Sequence, residues 1–167
     1  MPVFGLNNGM IPIISYNYGA QKPDRMKRTM KLGVMVGCSI MVFCLAIMQV
    51  FPGQILKIFD ATDEMLLMGI PAVRIMSTAF IFAGFSVTCS GMFQAVGKGV
   101  YSMIVSMARQ LFVILPVAYF LSKAMNSVNG VWAAFPIAEV FSVIISTIFL
   151  LRVYKKIVKP MESVQRD

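Results

Sequence analysis

Apolar residues come in long blocks along this chain, not in the alternation of a half-buried strand. Residues 2–18, 32–51, 70–96, 100–124 and 129–153 are each predominantly apolar, with short breaks rich in Gly, Pro or charge between them. About 20 apolar residues cross the hydrocarbon core of a bilayer, so the last four blocks have spanning length. The first is shorter and contains Gly5, Asn7, Asn8, Gly9, Pro12 and Asn17. The pattern predicts an all-α, polytopic transmembrane helix bundle of about five spans, the first incomplete. Interrupted helices are tolerated in membranes where neighbours satisfy the freed backbone groups, and they often line binding sites. The first block is therefore either such a lining helix or a truncated one.

The breaks have characters of their own. Gly19 and Pro23 mark a turn. Arg25, Lys27, Arg28 and Lys31 then predict a loop with a helix lying on the membrane surface. Pro52-Gly53 ends the second block. Residues 54–67 mix Ile55, Leu56, Ile58 and Phe59 with Lys57, Asp60, Asp63 and Glu64, which predicts an amphipathic connector with Thr62 as a helix cap. Pro71 suits the first turn of the next span, and Arg74 can snorkel to the interface. Thr78, Gly84, Ser86, Thr88, Ser90 and Gly91 allow close helix packing in lipid. Gly97-Lys98-Gly99 is a tight turn, Pro116 should bend the fourth span, and residues 122–129 form a short loop. Residues 154–167 are expected to be a mobile tail.

Composition strengthens the membrane reading. The chain is 58% hydrophobic and 13% charged, with mean hydropathy +0.78, whereas a soluble domain is roughly 45–50% apolar and about 25% charged. The net charge of +8 changes the picture only through its placement. With alternating spans, Lys22, Arg25, Lys27, Arg28, Lys31, Lys98, Arg152, Lys155, Lys156, Lys159 and Arg166 fall on one side, and only Lys57 and Lys123 on the other. The positive-inside rule assigns the basic side to the cytoplasm. A multi-pass plasma-membrane protein with a cytoplasmic C-terminus is expected. The cations therefore do not point to nucleic acid, and no nucleic-acid-binding motif accompanies them. Residues 1–20 lack the basic region and cleavage pattern of a secretory signal.

Candidate chemistry is sparse. Cys38, Cys44 and Cys89 lie in apolar blocks and there is no His, so neither a metal site, a disulfide framework nor the usual general base is indicated. No catalytic or phosphate-binding motif is present, and neither an enzyme nor a bound cofactor is expected. Arg109 and Glu139 are the exceptions inside the membrane. Each lies about eight residues into its span from opposite faces, hence roughly 12 Å deep with an axial gap of about 6 Å. A guanidinium–carboxylate fork can close that gap. Such a pair either lines a path or pins two helices together, and one pair alone favours pinning. Gln94 and Gln110 are either cavity groups or helix ties. Most of the methionines in the apolar blocks are read as packing, although Met also suits adaptable apolar pockets.

The segment Phe4-Gly-Leu-Asn-Asn-Gly-Met-Ile-Pro-Ile-Ile-Ser-Tyr-Asn-Tyr-Gly-Ala, followed by Arg25, Lys27 and Arg28, resembles the multidrug and toxic compound extrusion family at the end of its eighth helix. Phe93-Gln-Ala-Val-Gly-Lys-Gly, Ala108-Arg109-Gln110 and residues 129–139 support the resemblance, which is strongest toward a bacterial branch of multidrug exporters found in staphylococci. Members of that family have twelve helices in two lobes and export drugs by alternating access coupled to inward sodium or proton flow. The resemblance implies that residues 1–167 are part of the C-terminal lobe, with the N-terminal lobe a missing partner. Amphipathic, often cationic drugs would be the substrates, and Asn7, Asn8, Gln94 and Gln110 the candidate polar contacts. One branch of the family carries a coupling acid in helix ten. Here residues 70–96 hold no Asp or Glu, with Ile81 and Phe85 in the approximate region, so coupling would rest on a carboxylate in the other lobe or on Glu139. The alternatives are a lipid-linked sugar flippase of the same superfamily, which needs a cationic cavity, and an inactive fragment that only pairs with other helices.

Overall fold

The computed structural model describes residues 2–125 and 129–164, and every regular element among them is helical. Helix α1 (Pro2–Gly19) runs to the end of the bundle where the basic residues gather. Helix α2 (Pro23–Val50) begins there with Pro23 in its first turn and Asp24 beside the helix N-terminus, both favourable at that position. Arg25 to Lys31 therefore belong to α2 itself. The expected loop and separate surface helix do not form, because a start at Pro23 lets one helix absorb the cationic cluster. The chain breaks at Phe51, and α3 (Pro52–Ile58) restarts at Pro52.

Helix α4 (Asp63–Ser77) starts where the Thr62 hydroxyl accepts from the Met65 N–H at 3.4 Å. The cap places Pro71 well inside α4, not in a first turn. The expected connector is therefore divided: residues 54–58 lie in α3, whereas residues 63–67 open α4 and run on into the following span, with the bend coming later. Between α4 and α5 (Phe80–Ala95) the axis bends by 52°. In lipid the freed carbonyls need partners. Ser77 Oγ and Gln49 Nε2 of α2 both donate to the Arg74 carbonyl, at 3.1 and 2.9 Å, and Gln49 also reaches Ser77 Oγ at 3.1 Å. Thr78 Oγ1 donates to the Ile75 carbonyl at 2.6 Å. Gln49→Leu removes the support from α2 and is expected to cost about 1 kcal/mol, given that polar contacts between membrane helices average ~0.6 kcal/mol each. Thermal unfolding of the purified chain in micelles measures the loss; an unchanged midpoint would show that the kink holds without Gln49.

A turn at Gly97 (φ +71°) leads into α6 (Gly99–Met107), a π-helical stretch (Ala108–Ile114) and α7 (Leu115–Met125). Pro116 lies just past the widened stretch. A proline has no N–H and its ring crowds the carbonyl of the preceding turn, and the wider π turns stand directly before it. Residues 122–125 are helical, and the rest of the expected loop, 126–128, lies outside the described residues. Helix α8 (Asn129–Val153) continues through a second π stretch (Tyr154–Val158) into α9 (Lys159–Val164). The expected mobile tail is corrected by this helix. Val153, Val158 and Met161 are buried, and Glu162 meets Lys27 of α2 at 2.8 Å. The apolar 153/158/161 pattern pins it.

Among the described residues, three stretches are individually long and apolar enough to span a membrane: Pro23–Val50, Gly99–Met125 and Gly130–Ser163; the bent α4–α5 pair reaches that length and apolarity only when its two helices are counted together. Helix α1 falls outside this group because its asparagines dilute it, yet it packs along α2 and α5. The densest core lies at the basic end around Phe93, Ile14, Met26 and Met92. There Tyr101 stacks on Phe149 at 4.5 Å, Phe93 meets both rings edge-on, and Arg152 caps Phe149 at 5.7 Å. Near its middle α5 crosses α2 closely: a Cβ on Gly84 would stand 3.0 Å from both the Gly37 carbonyl oxygen and Cys38 Cα. Large apolar side chains such as Phe43, Val50, Phe112, Phe120 and Ile144 point outward. That surface suits lipid and is unsuited to water.

Candidate functional site

The π stretch carries Arg109 and α8 carries Glu139. Arg109 Nη1 donates to Glu139 Oε1 at 2.6 Å. Glu139 is only 8% exposed, and Arg109 is partly exposed. The second carboxylate oxygen, Oε2, has no hydrogen-bond partner among the described residues. The pair expected from depth alone thus forms, and it joins the fourth and fifth apolar blocks side by side. A charge-assisted bond of this length, with its carboxylate buried, is stronger than a fully exposed ion pair. It also leaves the region without net charge.

Two cavities meet at Arg109. The larger, about 400 Å³, is walled by Met48, Met76, Phe80 and Phe135, with Ser77, Gln110 and Glu139 as its polar groups. The kink between α4 and α5 forms one wall, since Ser77, Ala79 and Phe80 all line it. A volume of this size and a mostly apolar lining with few polar groups are the usual features of a small-molecule pocket. The smaller, about 200 Å³, is lined by Asn7 and Asn8 of α1, Ser86, Ser90 and Gln94 of α5, and Ser102 and Ser106 of α6. Arg109 lies on both.

The four polar candidates therefore do not share one site. Asn7, Asn8 and Gln94 come together in the polar cavity, while Gln110 faces the apolar one. Of the adjacent residues 109 and 110, both reach the apolar cavity and Arg109 also lines the polar one. Asn7 is buried and donates from Nδ2 to the Val87 carbonyl at 2.9 Å, its Oδ1 lacking a partner among the described residues. It fits only because Gly91 has no side chain: a Cβ there would stand 2.7 Å from Asn7 Cγ. Gln94 Nε2 donates to Ser102 Oγ at 3.2 Å, tying α5 to α6. Sequence reasoning passed over Ser102 and Ser106 and took Ser86 and Ser90 for packing residues. The signal was there in the spacing: 86, 90 and 94 share one helix face, and 102, 106 and 109 another.

No three His, Cys, Asp or Glu side chains gather as a metal site would need among the described residues. A family model described as MatE matches residues 1–120. The multidrug export protein MepA of Staphylococcus haemolyticus is 27% identical over 131 residues, which is 78% of this chain and 28% of that protein. MepA of Staphylococcus aureus strain RF122 is 28% identical over 137 residues, 82% of this chain and 30% of that protein. The chain thus spans less than a third of the length of these relatives. Among solved structures, the MATE multidrug transporter DinF-BH is 32% identical with TM-score 0.84, matching 95% of this chain and 35% of that one. Inward-facing and outward-facing conformations of a MATE family multidrug resistance transporter each superpose with TM-score 0.85, at 18% and 19% identity, over 97% of this chain and 37% and 36% of theirs.

Proposed function

The chain belongs to the MatE family, and from that premise we propose that it forms part of one lobe of a cation-coupled multidrug efflux transporter working by alternating access. Members of the family are integral membrane transporters, and the apolar helices here agree with that. The carrying observation is the meeting of an apolar, methionine-lined cavity with a polar one at an arginine already neutralised by Glu139. The apolar cavity would take the lipophilic body of a drug, with Ser77 and Gln110 as orienting groups. Asn7, Asn8 and Gln94 would offer polar contacts from the other side of Arg109. The equal fit to inward- and outward-facing relatives supports a lobe that moves as a rigid body.

The ion pair also favours drugs over an anionic lipid carrier. A flippase cavity needs surplus positive charge, whereas Arg109 is paired and Arg74 is exposed on α4. Glu139 is read as a tie between helices, with the coupling carboxylate in the complementary lobe and sodium or a proton as the driving ion. The test is efflux of a fluorescent lipophilic cation such as ethidium from cells producing the transporter that contains this chain. Met76→Trp fills the apolar cavity and is expected to slow efflux about fivefold at unchanged expression, the equivalent of about 1 kcal/mol of lost binding. Glu139→Gln, if the protein is still folded, should retain ion-driven efflux. Full efflux by Met76→Trp would remove the cavity from the transport path, and loss of coupling alone in Glu139→Gln would make Glu139 the coupling acid.

A further inference from the structure

We propose that a groove between α2, α5 and α8 at the basic end holds an acyl chain of an anionic phospholipid, with Lys31 and Arg28 binding its phosphate. The groove has a volume of about 380 Å³ and is lined by Met30, Val34, Met35, Met92 and Leu150, with Lys31 its one charged residue. Lys31 is the last charged residue before the uninterrupted apolar run that starts at Leu32. It therefore stands at headgroup level, and the groove extends along the hydrocarbon side. Residues 28, 31 and 35 recur at helical spacing on one face of α2, so Arg28 stands above Lys31 and Met35 below it. The three methionines are flexible and adapt to a mobile chain.

Charge selects the headgroup. The acids described at this end are Asp24 and Glu162, and both are engaged by Lys27, at 3.0 and 2.8 Å. Arg28 and Lys31 form no ion pair among the described residues. Lys22, Arg25, Lys155, Lys156 and Lys159 add to the same positive field. A juxtamembrane cluster of this density attracts anionic lipid. The apolar groove beside it distinguishes a lipid from a free phosphate, because only a lipid occupies both parts.

Native mass spectrometry of the purified chain in detergent tests the site, with phosphatidylglycerol and acyl-matched phosphatidylcholine as probes and excess inorganic phosphate as competitor. At about 1 kcal/mol for each surface cation, phosphatidylglycerol should be retained roughly thirtyfold more tightly than phosphatidylcholine. The double variant Arg28→Gln/Lys31→Gln should cut that preference by about tenfold or more, to what the surrounding cations supply, and Lys31→Arg should keep it. Val34→Trp, which fills the groove, should weaken both lipids, with helicity by circular dichroism confirming that each variant is folded. Equal retention of the two lipids by the parent chain would overturn the proposal. So would a preference undiminished in the double variant, or displacement of the lipid by inorganic phosphate.

Discussion

Glu139→Ala is expected to lower the stability of the bundle by about 3–5 kcal/mol, the usual cost of stranding one partner of a buried ion pair. The effect should exceed that of Arg109→Ala. An arginine cannot shed its proton inside a protein, so removing Glu139 leaves a permanent cation at bilayer depth. Removing Arg109 leaves a carboxylate that can take up a proton and become neutral. Arg109 is also the more exposed partner, so a lone guanidinium keeps a partial escape to solvent, which favours the lower end of the range. Thermal unfolding in micelles should show the two single variants unequal, and Arg109→Met/Glu139→Ala should recover most of the loss. A double variant as unstable as the sum of the singles would mean that the 2.6 Å contact contributes no coupling.

Gly84→Leu should cost about 3 kcal/mol, at the upper end of overpacking penalties. The atoms a side chain would meet are mainly backbone, the Gly37 carbonyl oxygen and Cys38 Cα, each at 3.0 Å. Backbone cannot rotate away as a flexible side chain does, so α2 and α5 must separate. That separation would also expose Thr88, whose hydroxyl bonds the Gly84 carbonyl at 2.7 Å. Gly5→Leu is the control: nothing lies within 4 Å of a Cβ there, and its stability should be unchanged or slightly higher, since Leu favours helix over Gly by up to about 1 kcal/mol. Equal midpoints for Gly84→Leu and Gly5→Leu would show that the crossing is loosely packed.

The residues also show how far pattern alone reaches. Depth counting brought Arg109 to Glu139 because two antiparallel helices with a 1.5 Å rise leave few ways to bury opposite charges. The Thr62 cap was legible for the same local reason: a hydroxyl before an acidic first turn satisfies free N–H groups. The basic cluster was misplaced, because charge says where a chain meets the membrane surface and not whether it is helical there. The tail was misjudged because its two buried apolar residues, Val158 and Met161, are too few to look like a core until the neighbouring helices lie beside them.

By itself the sequence determined that this is a membrane-embedded helical bundle with its cations at one end and one acid–base pair inside. Long apolar blocks cannot be hidden otherwise, and buried charges cannot be left single. Only the tertiary structure decided that the polar candidates divide between two cavities. Which side chains share a cavity depends on the bend after Ser77 and on the π turns before Pro116. Both are departures from regular helix, and a periodic pattern carries no record of the angle at which it is broken.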